Sequence, residues 1–231
     1  MRIEAEWLDQ PQAQTVCRVL EDAGHRALFV GGCVRNALLG VAVSDLDLST
    51  DARPERVTEL MEAAGLKVVA TGIAHGTVTV VADHLPFEVT SFRRDVETFG
   101  RHAVIAFSDS VEEDAARRDF TMNALYCDAR GEIIDPIGGL PDLKARRLRF
   151  VGVAVDRVRE DYLRILRFFR FHAYYADSRL GIDPEGLDAC ARHAERLAEI
   201  SAERIGAETM KLLAAPDPAP EVAAMEAAGV L

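Results

Sequence analysis

The sequence predicts an α/β domain of alternating strands and helices over residues 1–150 followed by an all-helical segment over residues 151–231, an α+β chain taken whole. Three observations carry that reading. Before residue 150, short runs rich in Val, Ile, Thr and Phe, bounded by Gly, Pro or Asp, alternate with short helical patterns. After it, apolar residues recur only at helical spacing. The chain of 231 residues, 49% hydrophobic and 28% charged, has ordinary globular composition and the length for a sizeable core, which excludes a disulfide scaffold, a disordered chain or a collagen-like one.

Taken in order, Pro11–Ala23 reads as a helix and Arg26–Val30 as a strand that runs into Gly31-Gly32 and a second helix, Cys33–Leu39. Leu46–Ser49 is the next strand. Pro54–Ala64 is a helix with proline at its first position, where the missing N–H costs nothing. Lys67–Ala70, Thr77–Ala82 and Phe87–Thr90 read as strands, as do Leu125–Cys127 and Glu132–Ile134. Between these two groups the polar stretch Asp95–Phe107, with Gly100-Arg101-His102 at its centre, interrupts the strand pattern and reads as a loop.

From Asp156 on, Val158, Leu163, Leu166, Phe169 and Ala173 fall on or near one helical stripe. Helices follow at Pro184–Ala194, Ala202–Leu213 and Ala219–Ala228, separated by Gly181-Ile182-Asp183-Pro184 and Pro216-Asp217-Pro218. The chain stops at Leu231 inside a helix-like apolar pattern, so the expectation is a piece of a longer chain or a surface that a partner covers.

The net charge of −11 argues against a protein that coats nucleic acid by bulk electrostatics, but the basic charge is clustered. Residues 144–170 hold nine basic and three acidic side chains, a net +6. Cys17, Cys33, Cys127 and Cys190 are far apart among apolar neighbours, without the paired spacing of a zinc site, and read as reduced, buried thiols. Glu4, Glu6 and Asp9 open the chain, and no apolar run approaches the roughly 20 residues of a membrane span, so the expected location is the cytoplasm.

Asp45 and Asp47 are the sharpest feature. Read on one strand, residues two apart share a face, so both carboxylates project together while Leu46 and Leu48 face away. Convergent hard oxygen ligands of this kind suit a divalent metal pair bridging a nucleophile and a triphosphate; a solvated edge-strand face is the competing reading. Upstream, two glycines at a strand-to-helix turn let backbone N–H groups approach a phosphate, and Arg35, one turn into the helix, neutralises it. Gly-Gly alone is often only a tight turn. Together with Arg35 and D-x-D it is an arrangement for nucleotidyl transfer, one part holding triphosphate and the other metal.

LFVGGCVRNALLG followed by DLDLST resembles the opening signature of class II tRNA nucleotidyltransferases and bacterial poly(A) polymerases, members of the polymerase-beta-like superfamily. Further matches follow in order: RRDFTMNALY at Arg117–Tyr126, DPIGGLPDLKARRLRFVG at Asp135–Gly152, EDYLRILRFFRF at Glu160–Phe171 and EISAERIGAE at Glu199–Glu208. The resemblance covers roughly residues 25–210 and implies a polymerase-beta-like nucleotidyltransferase head, a mixed sheet with helices, followed by a helical neck and partial body.

By that resemblance Asp45 and Asp47 hold catalytic Mg2+, Gly32 and Arg35 contact the incoming nucleotide, and Arg118 and Asp119 bind it and sense its ribose hydroxyl with Asn123 in support. Asn36 departs from the acidic residue most often found after that arginine. Asp161 and Arg164 serve as a protein template that selects CTP and then ATP, while Arg167 and Arg170 face the triphosphate. The chemistry agrees with that role. A carboxylate beside a guanidinium matches an exocyclic amine beside a ring acceptor, which cytosine and adenine offer and uracil and guanine do not. The spacing by three also admits a plain salt-bridge row.

Glu88 is a weaker third candidate for the metal centre, since a lone strand Glu is more often solvated. Lys144, Arg146, Arg147 and Arg149 read as an RNA-backbone grip or as a generic solvated face. The stretch Asp95–Phe107 resembles the flexible loop that accompanies terminal A addition. The implied activity is template-independent addition of CMP and AMP to the 3′ end of tRNA, with CTP, ATP and tRNA as partners. Poly(A) addition shares every motif, and a non-catalytic RNA- or nucleotide-binding module is the rival from another class.

Overall fold

The computed structural model describes residues 1–99 and 102–231. By contact the chain divides into two units, the first comprising Met1–Val96, Ile105–Arg118 and Asn123–Gly139. The strands in chain order are β1 (Leu28–Val30), β2 (Asp47–Thr50), β3 (Lys67–Gly72), β4 (Thr77–Ala82), β5 (Leu85–Ser91), β6 (Arg93–Phe99), β7 (His102–Phe107), β8 (Tyr126–Cys127) and β9 (Ile133–Ile134); all belong to this unit except β6 and β7, which pair with each other and are divided between the two units. Among the described residues the main sheet is seven-stranded, in the order β3-β4-β5-β2-β1-β8-β9. Every neighbouring pair is antiparallel except β2 and β5, which run parallel with Asp47 opposite Glu88.

Side-chain alternation sets the faces. Along β4, Val78, Val80 and Ala82 are buried while the residues between them are half-buried, so one face turns inward. β4 turns into β5 through Asp83 and His84, whose φ values of 46° and 68° are those of a two-residue primed turn that matches strand twist. α1 (Pro11–Asp22) buries Ala13, Val16, Cys17 and Leu20, the i, i+3, i+4, i+7 stripe of an amphipathic helix. α2 (Gly32–Leu39) follows β1 directly, α3 (Pro54–Ala63) buries Val57 and Met61, and α4 (Val111–Ala116) is N-capped by Ser110, whose side chain accepts from Glu113 N.

The second unit comprises Glu97–Val104, Asp119–Met122 and Leu140–Leu231. Its helices are α5 (Leu140–Lys144), α6 (Ala154–Glu160), α7 (Leu163–Tyr175), α8 (Pro184–Arg192), α9 (Ala202–Leu213) and α10 (Ala219–Ala227). α7 packs on α9 and α10, and α6 on α8. The core is aromatic: Phe150 stacks on Phe168 at 5.2 Å, and Phe120 meets Phe150 at 4.9 Å and Phe171 at 5.1 Å. Residues 119–121 pair with 149–151 through Val151 N to Asp119 O, 2.9 Å, and Thr121 N to Arg149 O, 3.0 Å. The sequence reading divides the chain at residue 150; by contact, 140–150 and 119–122 go with the helices, because Phe120 and Phe150 belong to this aromatic core.

Two sequence expectations change. Asp95–Phe107, read as a loop, lies in β6 and β7, where Val96, Thr98, Val104 and Ile105 supply β-branched residues. Gly100 and Arg101, at the centre of that reading, lie outside the described residues. The stripe from Asp156 to Ala173 is two helices, since Asp161 and Tyr162 separate α6 from α7 and Asp161 is extended at φ −152°, ψ 107°. All four cysteines are free and buried. Among the described residues no helix is long and apolar enough to cross a membrane.

Candidate active site

Within the first unit the site is built where β1 meets α2 and β2 meets β5. Gly31 closes β1 at φ +70°, a conformation that L side chains rarely adopt, with its N–H donated to Leu125 O. The chain then enters α2 with Gly32, and the first N–H groups of that helix point out of the turn without helical partners. A Cβ on Gly31 would stand 3.7 Å from Arg118 Nη1, and one on Gly32 3.9 Å from Arg35 Nη2, so two guanidiniums flank the glycines. The geometry is that of an anion cradle.

Arg35 is 6% exposed, yet its guanidinium donates to Asn123 Oδ1 and, through Nε and Nη2, to Asn36 Oδ1 at 3.1 and 2.8 Å. Asn36 Nδ2 donates to Ala42 O at 2.8 Å. The residue that departs from the family pattern thus still orients Arg35, as a neutral amide rather than a carboxylate. The structure brings the predicted Gly32, Arg35, Arg118 and Asn123 together around one turn.

Asp47 opens β2 and Glu88 is its register partner on β5. Asp45 differs from its sequence reading. It is exposed and precedes the strand, with Ser44 Oγ donating to it at 2.8 Å, so the two aspartates do not share a strand face. The reason is the length of β1: its pairing reaches only Phe29 to Leu48, and Gly31 then turns away, so residues 45 and 46 have no neighbour on that side.

Burial pushes the Asp47 carboxyl up to about 6, reinforced by the charges of Glu88 and Asp45 and partly offset by Arg118. This uncompensated negative charge is what a divalent cation neutralises, and carboxylate oxygens are the donors that Mg2+ takes, so the residues fit the ion. Among the described residues no three Asp, Glu, His or Cys side chains form a closed metal-holding group, so Glu88 is placed beside Asp47 but not within a preformed three-carboxylate cage.

Arg118 is fixed by a group that the sequence reading passed over. Asp114, fully buried, accepts from Arg117 Nε and Nη2 at 2.9 and 2.6 Å on Oδ1, and from Arg118 Nη2 at 2.9 Å and the Tyr126 hydroxyl at 2.7 Å on Oδ2. Burial alone would raise its carboxyl, but Arg118 and Arg117, with the Tyr126 hydrogen bond, outweigh it and hold it at about 2. The spacings i+3 and i+4 from Asp114 to the two arginines were a usable signal.

In the second unit each predicted nucleotide-selecting residue sits in an ion pair. Asp161 Oδ1 accepts from Leu163 N at 3.0 Å and Oδ2 from Arg204 at 2.7 Å. Arg164 pairs with Glu160, Arg167 with Asp119 (Nε to Oδ2, 2.9 Å) and Arg170 with Glu208 at 2.6 Å. These four pairs each reach a residue outside the row, while Asp161 also attracts Arg167 within it, so a plain salt-bridge row describes only part of the arrangement. A carboxylate has about four acceptor sites, which leaves Asp161 the capacity for a base amine. Arg204 and Glu208 lie in EISAERIGAE, matched in the sequence without a role. Arg149 bonds Asp142 at 2.9 Å and is exposed, as are Lys144, Arg146 and Arg147.

The family model described as "Poly A polymerase head domain" matches residues 27–149, and "Probable RNA and SrmB- binding site of polymerase A" matches 179–231. The chain is 43% identical over 190 residues to the human mitochondrial CCA tRNA nucleotidyltransferase 1, covering 82% of this chain and 44% of that protein. It is 43% identical over 209 residues to the CCA-adding enzyme of Geobacillus kaustophilus, covering 89% and 50%. Among solved structures, the Bacillus stearothermophilus CCA-adding enzyme in complex with CTP superposes with a TM-score of 0.85 at 38% identity, over 96% of this chain and 53% of that one. A tRNA nucleotidyltransferase complexed with a primer tRNA and an incoming ATP analog gives 0.75 at 27% identity, over 94% and 61%. The chain spans about half the length of the curated relatives it matches.

Proposed function

This chain belongs to the poly A polymerase head-domain family and is similar along most of its length to CCA-adding tRNA nucleotidyltransferases, and from that premise we propose that it adds CMP and AMP to the 3′ end of tRNA, without a nucleic-acid template, from CTP and ATP. The observation that carries the reading is the meeting, within one unit, of a glycine turn flanked by Arg35 and Arg118 with the acidic edge of Asp47 and Glu88. One side suits a triphosphate and the other a divalent cation.

Asp45 and Asp47 would hold Mg2+, with Glu88 alongside. When bound, the ion supplies charge stabilisation to the transferring phosphoryl group and lowers the pKa of the attacking 3′ hydroxyl. The chain's own residues do the rest. The N–H groups that open α2 receive phosphate oxygens, and Arg35 and Arg118 compensate their charge. Asp161 accepts the amine of cytosine or adenine while Arg164 donates to the adjacent ring acceptor, and Arg167 and Asp119 complete the nucleotide contacts. On the first unit the triphosphate so bound is oriented for attack by the incoming hydroxyl, and positioning lowers the barrier. The proposed location is the cytoplasm, a reducing compartment that suits four free, buried cysteines.

The decisive experiment supplies each NTP separately to a tRNA lacking its 3′ CCA. Incorporation of CMP twice followed by one AMP is expected. Repeated AMP addition without CMP would favour poly(A) polymerase, the second reading that the family description keeps open. No incorporation with Mg2+ at high RNA concentration would leave a binding module.

A further inference from the structure

We propose that Asp114 is a positioning residue for nucleotide binding that acts through Arg118, with Tyr126 as its second hold; the proposal rests on the reading of Arg118 as a nucleotide contact. Arg118 Nη2 is bound by Asp114 and by Ser49 Oγ at 3.3 Å, and Nε by the Tyr126 hydroxyl at 2.9 Å, while the guanidinium lies 5.1 Å from the centroid of the Tyr126 ring. Those contacts fix the rotation of the fork. Nη1 is left facing the turn, 3.7 Å from where a Gly31 Cβ would be.

The cost of this arrangement points to a use. Burying one carboxylate under two guanidiniums contributes little net stability compared with apolar packing of the same volume. It does decide where Arg118 points. Ser49 shares the strand β2 with Asp47 two residues away, so Arg118 lies within reach of the Asp47 field, and an untethered guanidinium would pair with that carboxylate and occupy the cation side of the site. Asp114, fully buried and bonded on both oxygens, outcompetes it.

Titration calorimetry of CTP in magnesium buffer, on the whole chain, tests the coupling with wild type, Asp114→Asn, Arg118→Ala and the double variant. Asp114→Asn should weaken CTP binding about tenfold, the scale of one charged hydrogen bond, and should cost less than about twofold once Arg118 is already alanine. A tenfold loss that persists in the Arg118→Ala background would make Asp114 merely structural and overturn the proposal, as would wild-type affinity in Asp114→Asn alone. Wild-type affinity in Arg118→Ala would instead overturn the nucleotide reading of Arg118, and the proposal with it. Circular dichroism confirms the folded baseline. Should Asp114→Asn lose it, Tyr126→Phe takes its place in the same cycle: a loss of about threefold that vanishes without Arg118 supports the proposal, and any other result overturns it.

Discussion

Asp47→Asn tests the electrostatics of the β2 edge through stability rather than turnover. Burial, with Glu88 and Asp45 nearby, moves the Asp47 carboxyl from its ordinary 3.8 to about 6 in the folded protein. A folded-state value above the unfolded one means that the charge is held at a cost: the stability is fully present below about pH 4 and is lost as pH rises through about 6. The interval is worth roughly 3 kcal/mol at neutral pH. Asparagine has no proton to lose, so the variant should match wild type at pH 4 and exceed it by roughly 3 kcal/mol at pH 7.5. Urea denaturation followed by far-ultraviolet dichroism, in chelator at both pH values, reads the difference, and groups common to both proteins cancel. Added Mg2+ should then stabilise wild type and leave the variant unchanged. A variant less stable than wild type at pH 7.5, or a difference independent of pH, would refute the reasoning.

Asp45→Ala and Asp47→Ala should each abolish nucleotide addition, measured as labelled CMP incorporated into tRNA; more than about a tenth of wild-type rate in both would sink the metal-ligand assignment, since losing a ligand costs several kcal/mol of barrier. Asp161→Ala should narrow the preference for CTP and ATP over UTP and GTP by about 1–3 kcal/mol in kcat/KM ratios, and an unchanged ratio at a lower rate would assign this segment to structure alone. For Gly186→Ala in α8, a new Cβ would stand 2.7 Å from Phe168 Cε2 and Cζ, on a ring already stacked against Phe150. Overpacking costs about 1–3 kcal/mol against a helix-propensity gain of about 1, so a net loss is expected, and a rise in Tm would overturn this account.

Much of this was legible because local chemistry dictated it. β4 carries its alternation in Thr77–Ala82, α1 and α3 announce themselves with Pro11 and Pro54, and Gly31-Gly32 after an apolar strand can hardly be other than a turn into a helix. The break between α6 and α7 was not legible, because no proline or glycine marks it. Asp161 leaves the helix to cap Leu163 and to meet Arg204, a partner 43 residues away. Asp114 was hidden for another reason: Glu112, Glu113 and Asp114 look like ordinary acidic residues favouring a helix N-terminus, and only burial separates the third from the others. β6 and β7 were missed because Arg93, Arg94, Asp95 and Glu97 masked a β-branched pattern.

The parallel pairing of β2 with β5 has a kinetic side. Asp47 and Glu88 come from strands joined by a helix and two further strands, and a parallel pair closes only after the whole crossover is in place. Contacts between residues so distant in sequence are slow to form, since loop closure must precede the contacts that reward it. While the chain emerges from the ribosome, β1, α2 and Asp47 are all present before Glu88 has been made. The acidic edge therefore comes into being as one of the later non-local events of folding, and on the proposed metal reading cation binding would report that the sheet has closed, giving a probe for refolding experiments that helix signals would miss.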